Sequence, residues 1–357
     1  MLQKLLATGV VACTAVCTYA QDSTKAGTFT LSGNADAYYR YNFSKPPVGG
    51  DPKYNSITSF TKSHNSFELG MASLKAEYTK GKAGVVADLG FGNRAEEFAY
   101  NDANTRLAIK QLYVTYSPSS AVKLTLGSWA THVGYEVLDP YLNRNYSMSY
   151  MFSFGPFSHT GVKADISLGG TSSLMLGVAN PTDLRSANSA PKTFLGQFAT
   201  GSVNGKYKAY LNFVGGKQND LRKVIQGDVV LTGAFTSQFS LALNGTLQNV
   251  KTRPAIADPY TSGTWWGAAG YANYDFNSWF GATARLEYVK DKDNLFALTH
   301  GINHVWVPTI SANFKIDNLT IIPEFRLDAA KNNAFEKSDG TLTKSSSTLL
   351  LAATYHF

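Results

Sequence analysis

From Phe29 to Phe43 the chain alternates without a break. Phe29, Leu31, Gly33, Ala35, Ala37, Tyr39, Tyr41 and Phe43 occupy the odd positions, and Thr30, Ser32, Asn34, Asp36, Tyr38, Arg40 and Asn42 the even ones. Period-2 alternation puts each set on its own face of a strand. Globular strands usually stop after about 5–6 residues. A strand this long, apolar on one face and charged on the other, suits a barrel whose wall meets lipid outside and water inside.

The pattern recurs, and predicts sixteen strands near 28–43, 65–79, 84–92, 107–117, 121–130, 159–169, 171–179, 193–203, 206–215, 223–236, 238–249, 264–276, 279–290, 302–316, 318–329 and 346–357. The count is even, as in single-chain bacterial outer-membrane barrels. Connections after odd-numbered strands are mostly long: 44–64, 93–106, 131–158, 180–192, 250–263, 291–301 and 330–345, with 216–222 the shortest. After even-numbered strands they shrink to a few residues, such as Gly170, Asn204-Gly205 or Asp317. A soluble sandwich has no reason to sort its loops in this way. An up-and-down antiparallel barrel with both termini in the periplasm does.

Aromatic and charged residues fit this arrangement. Tyr39, Tyr41, Phe43, Trp266, Tyr288 and Trp306 fall at the predicted outer ends of strands. Phe29, Tyr78, Tyr116, Phe235, Phe239, Tyr274, Phe280, Phe314, Tyr355 and Phe357 fall at the periplasmic ends. Two such girdles mark the two membrane interfaces. The alternation points Arg40, Lys163, Asp165, Arg285, Glu287, Glu324 and Arg326 into the lumen, together with Asp36, Lys75, Glu77, Asp88, Lys123, Lys208, Asp228, Lys315 and Asp328. This set holds as many acids as bases. Lys110 is the exception, predicted to face outward near the outer rim. The segment 65–79 changes phase midway, and a bulge at Gly70 would reconcile its two halves.

Composition closes off other classes. Charged residues make up only 16%, against about 25% in soluble domains. Beyond the N-terminus no apolar run reaches the roughly 18 residues of a membrane helix. The N-terminus reads as a secretion signal: Lys4, an apolar run from Leu5 to Tyr19, and cleavage after Ala20, leaving 21–357 as one barrel domain. Both cysteines, Cys13 and Cys17, lie within that segment, so neither a disulfide nor a thiolate site is expected in the mature chain.

Sixteen strands enclose more space than side chains alone fill, so an aqueous channel is expected. The chain is too short for the larger, plugged transporters. The expected function is a water-filled outer-membrane channel for passive diffusion of small hydrophilic solutes or ions. The longest connection, 131–158, is the expected constriction. It carries Glu136, Asp139 and Arg144 among seven aromatics, and charges of both signs there would set a field across the opening. The formal net charge of +7 falls outside the balanced lumen set. That excess sits mainly in loops or turns, free to meet lipopolysaccharide phosphates or simply solvated.

The stretches DAYYRYNF (36–43), NSFELGMASLKAEYTKGKAGVVADLGFG (65–92), VKLTLGSWATHVGYEVLDPYLNRNYSMSY (122–150) and GPFSHTG (155–161) resemble the OmpL-like, porin-2 family of Gram-negative outer-membrane β-barrels. The resemblance covers about 28–180 well and the remainder by strand pattern. It implies an outer-membrane pore and no particular solute. The last strand ends on Tyr355-His356-Phe357 and looks like the signal read by the outer-membrane assembly machinery.

Other chemistry finds little footing. His64, His132 and His300 fall in or beside outer loops, but no recognisable catalytic motif surrounds them, so no enzyme is expected. His300 and His304 sit at a loop-to-strand junction, where a four-residue spacing does not bring two ligands together, and Asp291, Asp293 and Asn294 read as a turn. No cofactor or metal is expected, and no basic helix or platform suggests nucleic acid. The expected partners are outer-membrane lipid and lipopolysaccharide, the assembly machinery, solutes, and two further copies in a homotrimer. The alternative is a non-conducting barrel acting as a receptor or adhesin through its long loops.

Overall fold

Sixteen strands close on themselves in the computed structural model, which describes residues 26–50 and 52–357. The expected signal segment, 1–20, lies outside the described residues. In chain order the barrel strands are β1 (Thr28–Asn42), β2 (Ser66–Lys80), β3 (Ala83–Phe91), β4 (Ile109–Tyr116), β5 (Val122–Ala130), β6 (Ser158–Gly169), β7 (Ser172–Ala179) and β8 (Thr193–Gly201). They continue with β9 (Tyr207–Lys217), β10 (Arg222–Ala234), β11 (Phe239–Thr252), β12 (Thr261–Asp275), β13 (Phe280–Asp291), β14 (Asn303–Ile316) and β15 (Leu319–Ala330). A two-residue ladder, β16 (Phe335–Glu336) with β17 (Leu342–Thr343), stands apart, and β18 (Ser345–His356) completes the barrel. Every neighbour in the barrel is antiparallel and consecutive, and β18 pairs with both β15 and β1. A closed ladder leaves no strand edge unpaired, which a lipid environment demands.

Connections are sorted by end. Residues 81–82, 117–121, 170–171, 202–206, 235–238, 276–279 and 317–318 form short turns at one end. At the other end lie 43–65, 92–108, 131–157, 180–192, 253–260, 292–302 and 331–344, with the short 218–221 among them. Aromatics line both ends of the wall. At the loop end Trp266, Tyr288 and Trp306 pack against one another across β12–β14 at 5.2 and 4.7 Å between ring centres. At the turn end Tyr274, Phe276, Phe280 and Phe314 do the same at 4.8, 5.0 and 5.1 Å.

Two bulges set the phase of the inner face. Asp36 of β1 stands opposite both Gly70 and Met71, because the register jumps from Ala35↔Ala72 to Ala37↔Leu69. The bulge expected at Gly70 is therefore present. A β-carbon at Gly70 would sit 1.7 Å from Asp36 Oδ2, so only glycine lets that carboxylate lie against the strand. The second bulge was not foreseen. Pairs run Asp88↔Gln111 and then Leu89↔Ile109, leaving Lys110 as the extra residue of β4. That extra residue turns Lys110 into the lumen, where only 3% of it is exposed, correcting its expected outward position. It lies across Gly90, whose missing side chain makes the room.

Candidate pore constriction

Residues 131–157 leave the wall at the end of β5, cross the lumen and return at β6. The segment carries polar side chains among buried ones: Tyr146, Met148, Tyr150, Met151, Phe152 and Phe157 are all buried. A buried, largely irregular segment must satisfy its backbone groups, and here the barrel wall supplies the partners. Glu324 of β15 accepts the amides of Tyr146 and Ser147 at 2.8 and 3.1 Å. Glu287 of β13 accepts those of Tyr150 and Met151 at 3.0 and 2.9 Å. Asp183, from the 180–192 loop, accepts those of Phe157 and Ser158, both at 2.8 Å. In each case one carboxylate holds two successive N–H groups; Glu324 and Glu287 give one oxygen to each, while Asp183 receives both on Oδ1.

The carbonyls meet cations. Arg285 donates to Ser147 O at 2.7 Å, Arg326 to Met148 O at 2.6 Å and Arg94 to Leu138 O at 3.3 Å. Arg326 is held in turn by Asp328, at 2.8 Å from each of two nitrogens. Arg94 comes from α1 (Asn93–Phe98) in the loop after β3, and it is sandwiched between the Phe60 and Tyr146 rings at 4.9 and 4.8 Å. The Tyr146 hydroxyl donates to Asp36 across the Gly70 bulge. Residues 150–153 form one helical turn, α2 (Tyr150–Ser153), capped by the Ser149 hydroxyl, and do not extend the sixth strand.

The three charges expected at the constriction all lie on this crossing segment, each ion-paired to a different part of the wall. Glu136 Oε1 is 2.6 Å from Arg285 Nη1, and its other oxygen accepts Ser149 N at 2.7 Å. Asp139 Oδ1 is 2.6 Å from Lys110 Nζ and accepts from the Asn34 amide at 3.1 Å. Arg144 pairs with Asp275 of β12, which Lys315 also reaches at 2.9 Å. They are thus spread from β4 to β12–β13 and tie the segment across the lumen. They do not converge on one opening. Beside them, Tyr135, Glu136, Arg144, Asn145, Tyr271 and Asn273 line a polar pocket of about 180 Å³.

The residues expected in the lumen differ in their freedom. Arg40 is buried against the carbonyls of Tyr54 and Ser63. Arg285, Glu287, Glu324 and Arg326 are buried under the crossing segment. Lys163 and Asp165, 3.1 Å apart, stand further toward the turn end and are partly exposed, next to Lys123. With Lys75 and Glu77, at 3.0 Å, they form a polar, partly exposed vestibule lining at the turn end. Sequence reasoning missed Lys110, Arg94, Tyr146 and Asp275 as members of this network. The mixed phase around Gly70 was the one local signal pointing to it.

Near the root of the segment, two ionisable groups are displaced from their ordinary values. Burial pushes the Asp183 carboxyl up to about 6 despite its two backbone donors and the Tyr100 hydroxyl at 3.1 Å. Burial likewise pushes His132 down to about 4, with Lys163 adding to the effect, while a hydrogen bond to Phe213 O at 3.2 Å works against it.

Solved outer-membrane proteins share this architecture. An anion-selective porin from Comamonas acidovorans superposes with a TM-score of 0.60 at 12% identity, covering 93% of this chain and 100% of its own. A loop-deletion mutant of the outer-membrane protein OmpT of Vibrio cholerae gives 0.60 at 12% identity, with the same coverage. A trimer form of in-vitro folded OmpT gives 0.57 at 11% identity, covering 93% and 100%. No curated protein matches this chain by sequence. The family and the closed sixteen-strand ladder place the protein in the outer membrane as a multi-pass barrel. The model of the beta-barrel porin-2, OmpL-like family matches residues 28–357, and the chain belongs to that family.

Proposed function

We propose that the barrel is a diffusion channel for small hydrophilic solutes or ions, narrowed by residues 131–157. The observation that carries this reading is the anchoring of that segment. It is hydrogen-bonded and ion-paired to the wall from β1 to β15, and so lies as a fixed partition above the polar vestibule. Glu136, Asp139 and Arg144 set the height and tilt of that partition, and Lys163 and Asp165 meet the solute beyond it. The solute passes without chemical change. The chain is exported with loss of residues 1–20, folded by the outer-membrane assembly machinery, and assembled as a homotrimer.

One observation favours a second reading, a barrel closed to solutes that serves as a receptor or adhesin. Phe60, Phe98, Met148, Phe152 and Phe157 bury one another within the loop-end half of the lumen, as a plug would. Single-channel recording of the refolded chain in a planar bilayer, with a salt gradient, separates the two. Stable conductance steps support the channel, and a folded barrel without conductance supports the closed receptor.

A further inference from the structure

The outer wall carries a row of lysines that the barrel itself does not neutralise. Lys223 of β10 is directly opposite Lys217 of β9 on one side and Lys251 of β11 on the other. On β10 the inner face belongs to Val224, Gln226 and Asp228, all buried, while Ile225, Val229 and Leu231 are exposed to the outside. Lys223 shares their face. Lys217 aligns in the same way with Leu211 and Phe213, and Lys251 with Leu243 and Leu247.

Like charges directly opposite on antiparallel strands destabilise the pair. Three in register across adjacent strands call for a counter-charge, and among the described residues none of the three makes an ion pair. Lys223 instead rests over the Tyr260 ring at 4.3 Å, a ring it shares with Arg253 at 4.7 Å. Asp220 and Asp258 lie in the loops that follow β9 and β11, and among the described residues neither is ion-paired with these lysines. A second basic pair, Lys290 opposite His304, lies on the same outward face at the top of β13 and β14.

Below and between these clusters the wall is grooved. Two adjoining stretches of about 850 and 620 Å³ share Leu231, Leu243, Gly270 and Leu286. Their floor is made of small residues, Gly245, Ala268, Gly270, Ala272 and Ala284, and Trp266, Tyr288, His304 and Trp306 stand at the loop end. Trp266 pairs with Leu247, four residues from Lys251 and so about 13 Å along the strand. Cations thus lie at headgroup depth, interfacial aromatics below them, and an apolar groove within the hydrocarbon layer.

We propose that Lys217, Lys223 and Lys251 bind the phosphate groups of an outer-leaflet glycolipid, lipopolysaccharide, whose acyl chains enter the loop-end stretch of the groove between β10 and β14, the other stretch running on to Tyr207 and Phe235 at the turn end. The charge row and the groove are separate observations that agree on one ligand: an anionic head above several saturated chains. The proposal rests on the barrel's outer-membrane setting and is independent of whether the barrel conducts.

The test is a binding titration on the folded chain in neutral detergent, followed by tryptophan fluorescence. The probes are lipopolysaccharide, the same lipid stripped of its phosphates, and inorganic pyrophosphate. The variants are Lys217→Gln/Lys223→Gln/Lys251→Gln and the milder Lys223→Gln, which remains informative if the triple variant folds poorly. With each lysine contributing about fivefold, the triple variant is expected to bind lipopolysaccharide about 100-fold more weakly, and the single variant about fivefold. Wild-type binding should also weaken when the lipid loses its phosphates. Unchanged binding by the variants, or equal binding of the stripped lipid, overturns the proposal. Pyrophosphate binding as tightly as the lipid overturns the lipid assignment and leaves a free-phosphate site.

Discussion

Lys110 Nζ lies 2.6 Å from Asp139 Oδ1 and 3.1 Å from Asp88 Oδ1, with only 4% of the lysine side chain exposed. One cation, brought inside by a bulge, therefore joins the wall to the crossing segment and separates two carboxylates. Replacing it with methionine keeps the volume and removes the charge. Asp88 and Asp139 would then face each other uncompensated, a loss of about 3–5 kcal/mol for a broken buried pair. Lys110→Met is expected to loosen the segment at this anchor, lowering the urea midpoint of the refolded barrel. In a conducting barrel it also raises conductance and shifts the reversal potential toward cations.

Glu136 and Arg285 form the matching anchor on the opposite wall. They are 149 residues apart in sequence and buried together, with Ser149 N and Ser147 O completing their hydrogen bonds. Glu136→Gln preserves shape and one acceptor but leaves the Arg285 charge without its counter-ion. A double-mutant cycle with Arg285→Met should return a coupling well above the 0–1 kcal/mol of surface ion pairs. A coupling within that surface range would mean that the pair does not hold the segment.

How much of this network could be read from the chain alone follows from what alternation encodes. Lipid outside and water inside impose period 2, so strand number, strand ends and the inner position of Arg285, Glu287, Glu324 and Arg326 were legible. Gly70 was legible too, since the phase visibly changes around it within one strand. Lys110 was not. Its strand is short and opens directly after a 3₁₀ turn, so the extra residue leaves too few alternating positions before it to expose the shift. The loop charges could be named but their partners could not. Asp139 meets Lys110, Arg144 meets Asp275 and Tyr146 meets Asp36 only once the barrel has closed, and no local pattern records those distances.

Gly70 and Gly227 make a controlled comparison of two strand glycines. A β-carbon at Gly70 would collide with Asp36 Oδ2 and stand 2.8 Å from the Tyr146 hydroxyl, whereas at Gly227 nothing lies within 4 Å. Gly70→Ala must displace the Asp36 carboxylate and with it the hydrogen bonds to Met71 N and Tyr146, at a cost of about 1–3 kcal/mol. Gly227→Ala on the open outer face should stay within about 0.5 kcal/mol of the parent. Equal midpoints for the two variants in urea titration would refute the role assigned to the bulge.

Asp183 and His132 give the root of the crossing segment opposing responses to acid. The carboxyl is raised to about 6 from 3.8, so the folded chain binds its proton first and gains stability as pH falls from 6 toward 4. The imidazole is lowered to about 4 from 6.5, so the unfolded chain binds its proton first and the fold loses stability as pH falls from 6.5 toward 4. Each shift is worth about 3 kcal/mol across its window, and in the parent the two largely cancel. Asp183→Asn retains an acceptor for Phe157 N and Ser158 N and should expose the His132 response, making the barrel less stable at pH 4 than at pH 7 relative to the parent. His132→Gln should do the reverse. Urea midpoints of both variants and the parent, measured from pH 7 to pH 4, check the signs. Variant curves parallel to the parent's would show that neither group titrates differently in the folded barrel.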